Sequence, residues 1–121
     1  MRARSIAGAV LSGALLWFPS AGHAHAFLDH ADPKVGSAVQ SSPPALALTF
    51  TEGVEPAFSK IEVVDGDAQV VAVGGLEHPD ESTLRVSLPT LRVGSYKVKW
   101  KVVSVDTHET EGTFQFSVKS P

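Results

Sequence analysis

The chain has no cysteine, and its single methionine is residue 1. Without cysteine there is no disulfide, no thiolate nucleophile and no thiolate metal ligand. Without an internal methionine there is no thioether either, so soft sulfur metal ligands are excluded once residue 1 is removed. Basic residues are also scarce, with ten Lys and Arg against thirteen Asp and Glu. No basic patch of the kind that tracks a phosphate backbone can be assembled from them, which argues against nucleic acid as a partner. Past the first two dozen residues no apolar run reaches the length of a membrane span, so the remainder is expected to be soluble.

The one long apolar stretch lies at the start. Arg2 and Arg4 precede an apolar run from Ile6 to Phe18, and Pro19, Ser20, Ala21 and Gly22 lead into small residues. That order describes a secretory signal peptide. Two cleavage patterns overlap, Gly22-His23-Ala24 and Ala24-His25-Ala26, and the local pattern slightly favours the second. The first leaves His25 as the new N-terminus and the second leaves Phe27. Cleavage after Ala24 divides the chain into a leader, 1–24, and one domain, 25–121. Eight Lys and Arg then face thirteen Asp and Glu, a formal charge of −5 on 97 residues. A chain of that size holds one core.

The domain reads as short strands between turns. Residues 96–102 (Tyr-Lys-Val-Lys-Trp-Lys-Val) alternate apolar and lysine, and residues 113–119 repeat the period. Leu46, Leu48 and Phe50 form a further alternating run, as do Ile61 with Val63 and Leu84 with Val86. Period two with one wet face is the mark of antiparallel sheet. Val70 to Val73 is a continuous apolar run whose strand character is ambiguous. Asp32-Pro33, Ser42-Pro43-Pro44, Asp65-Gly66-Asp67, His78-Pro79-Asp80 and Arg92-Val93-Gly94 supply turn chemistry. About seven short strands predict an all-β, immunoglobulin-like sandwich or a small barrel.

Asp106-Thr107-His108 falls in the turn between the two strongest strands. In extended backbone Asp106 and His108 would project from one face, although an Asp-x-His in a turn is more often only solvated. An N-terminal His25 changes its meaning, because the free amine and ring Nδ1 of a first-residue histidine chelate one ion together. The imidazole of His108 adds a third nitrogen and Asp106 an oxygen. Three nitrogens and one oxygen suit tetragonal copper(II), which also stands highest in the divalent affinity order. The amine must shed a proton and the rings must be neutral to bind, so binding is expected to weaken in acid.

These residues, in order, resemble the CopC family of periplasmic copper-resistance proteins. The likeness runs from His25 and a following short strand with Asp32-Pro33-Lys34-Val35-Gly36-Ser37, through Leu46-Ala47-Leu48-Thr49-Phe50-Thr51-Glu52 and Gly94-Ser95-Tyr96-Lys97-Val98-Lys99-Trp100, to Ser104-Val105-Asp106-Thr107-His108 and Gly112-Thr113-Phe114. It implies a Greek-key β-sandwich and a periplasmic protein that stores, buffers or delivers copper(II). It implies one site made by the amine and ring of His25, Asp106 and His108, with Glu52 close by as ligand or neighbour. It also implies cleavage after Ala24, and an inner-membrane copper importer or another periplasmic copper-handling protein as partner. Some members carry a methionine-rich copper(I) loop. Gly75-Leu76-Glu77-His78-Pro79 looks like that loop without its methionines, so His78 is expected in a surface loop and no tight copper(I) site is expected. His30 would face away from His25 in a regular strand, while Glu109 and Glu111 add negative charge beside His108. A non-enzymatic binding protein is the leading reading. The alternative is a copper-dependent oxidative enzyme with a histidine brace, against which Asp106 would occupy the position such chemistry needs open.

Overall fold

The computed structural model describes residues 25–120, so the proposed leader, 1–24, and both cleavage motifs' residues before His25 lie outside the described residues. Eight strands follow in order: β1 Leu28–Asp32, β2 Ala38–Val39, β3 Ala45–Phe50, β4 Lys60–Val64, β5 Glu77–Asp80, β6 Thr83–Ser87, β7 Gly94–Val103 and β8 Glu109–Val118. One sheet runs β1-β3-β6-β5 and the other β2-β8-β7-β4. All pairings are antiparallel except β2 with β8. This order is that of an immunoglobulin-like sandwich, whose two sheets share strands by Greek-key crossings.

The alternation seen in the sequence is what closes the sandwich. Along β7 every second residue is buried, Tyr96, Val98, Trp100 and Val102, while Lys97, Lys99 and Lys101 stay in water. On β8 Phe114, Phe116 and Val118 face inward, and across the gap Leu46, Leu48 and Phe50 of β3 meet them. The Phe50 and Trp100 rings stand edge to face at 5.2 Å across the two sheets. Such a pair is worth about 0.5–1.5 kcal/mol beyond its buried area. Gly112 lies opposite Trp100 in the β7–β8 ladder, and a Cβ there would come within 2.6 Å of the indole. Only glycine lets that ring lie flat on the strand.

At the start of β7 the Tyr96 hydroxyl donates to the Arg92 carbonyl at 2.6 Å. This is the tyrosine corner found on the equivalent strand of immunoglobulin-like domains. It ties the connection between the sheets to the core without a disulfide.

One ambiguous reading is resolved and one expectation is corrected. Val70 to Val73 is not a strand. Val70 makes one bridge to Val64, and Val71 donates to the Val63 carbonyl. Gly74 then donates to the Ser87 carbonyl of the other sheet. A segment that leaves one sheet for the other within four residues cannot build a ladder. Its part-buried Val71 and Val73 cover the seam instead. His78 lies in edge strand β5, where its ring Nδ1 is 3.1 Å from the Thr83 carbonyl and so carries the donated proton. Pairing with β6 converts the expected loop into a strand, although every residue of β5 remains exposed.

Candidate metal centre

One end of the sandwich gathers three pieces of chain that are far apart in sequence. They are the segment 25–27 before β1, the segment after β3, and the turn between β7 and β8. The segment 25–27 is fixed through its backbone. Ala26 is fully buried and its carbonyl accepts the Thr110 hydroxyl at 2.6 Å. The Phe27 N–H donates to the Thr51 hydroxyl at 2.9 Å, and the Thr51 N–H returns to the Phe27 carbonyl at 2.8 Å.

The turn that carries Asp106 and His108 is closed on Ser104, which is fully buried. Ser104 donates its N–H to the His108 carbonyl at 2.9 Å, and its hydroxyl accepts the His108 N–H at 3.3 Å. The Thr107 N–H reaches the Ser104 carbonyl at 2.8 Å. Thr107 sits at φ +68°, in the left-handed region that a β-branched residue adopts at a cost. That conformation corrects the expected extended path from Asp106 to His108. The chain reverses between them, so a period-two argument does not apply. The turn is docked from outside as well, since Val105 donates to the Gly53 carbonyl at 3.0 Å.

The result is that the His25 and His108 rings meet, edge to face, with centroids 4.8 Å apart. Two imidazoles bound to one ion through nitrogens at about 2 Å have centroids roughly 4.5–6.5 Å apart, depending on the angle at the metal. The 4.8 Å separation of the pair lies within that range. Phe27 flanks it, with its ring 6.0 Å from that of His25.

The four sequence candidates are not all brought together. No group of three or more His, Asp or Glu is near enough to hold an ion among the described residues. Asp106 is exposed in the turn beside His108. Glu52 is part-buried and lines a cleft with Thr51, Gly53, Asp80, Glu81 and Ser82. Its backbone neighbours explain its place, since Thr51 holds Phe27 and Gly53 holds Val105. His30 lies away from the pair on β1, beside an irregular register, with its Nδ1 2.8 Å from the Asp29 carboxylate. Of the acidic residues after His108, Glu109 is engaged by Lys101 at 3.3 Å.

Sequence reasoning missed the residues that build this end, namely Ala26, Thr51, Ser104 and Thr110. Thr110 did carry a signal. It shares the inward face of β8 with Phe114, Phe116 and Val118, and a hydroxyl in an apolar column needs a partner.

Fold and site together define a cysteine-free immunoglobulin-like sandwich with a histidine pair at one end. Comparison with known proteins carries this further: the CopC domain matches residues 28–119, and the chain belongs to that family. His25 stands just ahead of the matched span. Copper resistance protein C of Xanthomonas campestris pv. juglandis is 31% identical over 129 residues, which cover 96% of this chain and 97% of that protein. Protein YobA of Escherichia coli K12 is 36% identical over 99 residues, covering 79% and 80%. Among solved structures, CopC from Methylosinus trichosporium OB3b superposes with a TM-score of 0.73 at 38% identity, over 79% of this chain and 95% of that one. PcoC, described as a methionine-rich copper resistance protein from Escherichia coli, gives 0.72 at 29% identity, over 79% and 100%. The non-enzymatic reading agrees with this membership. No helix among the described residues is long and apolar enough to cross a membrane.

Proposed function

We propose that the chain is exported to the periplasm, cut after Ala24, and there binds one copper(II) for storage, buffering or delivery. The mature domain is then 25–121. The observation that carries this reading is the 4.8 Å approach of the His25 and His108 rings. On cleavage, the amine of His25 joins its own Nδ1 as a chelate, His108 adds a third nitrogen, and Asp106 in the same turn supplies the oxygen. Copper(II) favours this nitrogen-rich, tetragonal set over other divalent ions. Glu52 acts from the adjoining cleft, where Asp80 and Glu81 extend the negative surface that draws cations in.

The copper names of the relatives support the choice of metal. The absence of internal methionine, against a similar structure described as methionine-rich, supports copper(II) over tight copper(I) binding. A copper transport protein, CutJ of Bacillus subtilis, is 28% identical over 110 residues that make up 20% of its length. That a domain of this kind forms one fifth of a copper transport protein supports an inner-membrane copper importer as the partner.

The test is the intact mass of the protein recovered from the periplasm, with and without one equivalent of copper(II). A chain beginning at His25 that gains one copper is the expected result. A chain beginning at Phe27 would end this reading, since amine and ring would leave together. A version made deliberately to begin at Phe27 should bind copper(II) more than about a hundredfold more weakly, exceeding the ~10–100-fold cost of losing an outer-sphere partner.

A further inference from the structure

We propose that Thr51 and Thr110 form a clamp on the Ala26–Phe27 peptide, and that this clamp sets the copper affinity by aiming His25 at His108. The inference rests on the copper(II) reading above and names the residues that tune that site. Both polar atoms of this one peptide unit are held by threonine hydroxyls from distant segments, one in β8 and one just past the end of β3. The Ala26 carbonyl accepts from Thr110 of β8, 84 residues away, and the Phe27 N–H donates to Thr51 after β3, 24 residues away. A peptide unit is planar, so fixing its carbonyl and its N–H fixes its whole orientation. The Ala26 methyl, with no exposed surface, adds a third point of attachment.

The leverage is short and steep. Two links separate Phe27 from His25, a reach of about 7 Å at full extension. That exceeds the 4.8 Å between the ring centroids. The direction of the Ala26–Phe27 peptide therefore decides whether the His25 imidazole meets His108 or points into water. Ordering the backbone of one residue is worth roughly five- to thirtyfold in an equilibrium constant. A clamp that bears this cost in the fold leaves less of it to be met by copper binding.

The clamp also bears on the rival cleavage pattern. Cutting after Ala26 would break the peptide bond whose two ends the fold holds. It would discard a buried methyl and leave the Thr110 hydroxyl without its carbonyl. The folded domain uses Ala26, which argues against a start at Phe27.

The experiment compares the mature full-length domain with Thr51→Val, Thr110→Val and Thr110→Ser. The measurements are competitive copper(II) titration, the copper(II) electron paramagnetic resonance spectrum, thermal melting, and amide exchange at Phe27. Each valine variant should bind copper(II) about fivefold more weakly or worse, with a shifted spectrum, and Thr110→Ser should restore both. The Phe27 amide of the unmodified protein should be protected from exchange, a readout that needs no variant to fold. Unprotected Phe27, or valine variants that melt cooperatively and keep affinity and spectrum unchanged, would overturn the clamp. His25→Ala separates the two ideas. If it abolishes binding while the valine variants bind copper(II) as tightly as the parent, the clamp fails and the copper site stands. If it leaves binding intact, the site and the clamp fall together.

Discussion

The two ends of the sandwich differ in how their most prominent turns and segments are tied. At the end away from the histidines, two turns close on themselves. Asp65 accepts the N–H groups of Asp67 and Gln69 at 2.9 Å, two and four residues on, and Tyr96 reaches back four residues to Arg92. At the histidine end the turn on Ser104 is likewise local, but it is joined by bonds between distant segments. Phe27 meets Thr51, Ala26 meets Thr110, Val54 bridges Ser104 and donates to Glu81, and Gly53 meets Val105. A locally closed turn forms whether or not the rest of the domain is in place. A stitched end exists only when both sheets have packed, so the His25 and His108 rings come together as a product of the whole fold.

The comparison can be broken most forcefully at Gly112. Gly112→Ala drives a methyl into the Trp100 indole, and overpacking of this kind costs about 1–3 kcal/mol. Because Thr110 is two residues along the same strand, the variant should weaken copper(II) binding as well as lowering the melting temperature. A variant that is less stable but binds copper as before would show that the stitched end tolerates a shift in β8. The matching change at the other end is Tyr96→Phe, which removes one hydroxyl bond. It should cost about 1 kcal/mol, or roughly 4–8 °C in Tm for a domain of this size. Copper affinity should not change, and any weakening would mean that the two ends are coupled.

The smallest effect belongs to Asp80, in the hairpin beside the Glu52 cleft. Its carboxyl is held below the ordinary aspartate value, first by the Thr83 hydroxyl and then by the Ser82 N–H. A depressed carboxyl stabilises the fold above its unfolded value, and that contribution drains away as pH falls through the lowered folded value. Asp80→Asn should therefore melt almost as the parent does at neutral pH. Below about pH 4 the parent should lose slightly more of its stability than the variant. Equal acid slopes in melting curves would remove Asp80 from the account.

The same contrast explains what the sequence could say. The alternation in residues 96–102 and 113–119 is a local record of a two-sided sheet, and it located β7, β8 and the core aromatics directly. The apolar run at Val70 was ambiguous because burial along a seam leaves the same composition as burial in a strand. The short β2 and the all-exposed β5 left no apolar period to read. For the site, residue types pointed to His25 and His108, but the backbone reversal at Thr107 has no signature in a residue that normally avoids positive φ. Nor could Thr51 or Thr110 announce partners 24 and 84 residues away.

Strand β5 carries a last consequence. It borders its sheet, with Glu77, Pro79 and Asp80 all exposed. Pro79 has no N–H to offer a docking strand, and the flanking carboxylates would repel a second copy of themselves. Copies of this domain can thus crowd together without zipping along this edge, which leaves β5 a border that stays open to water.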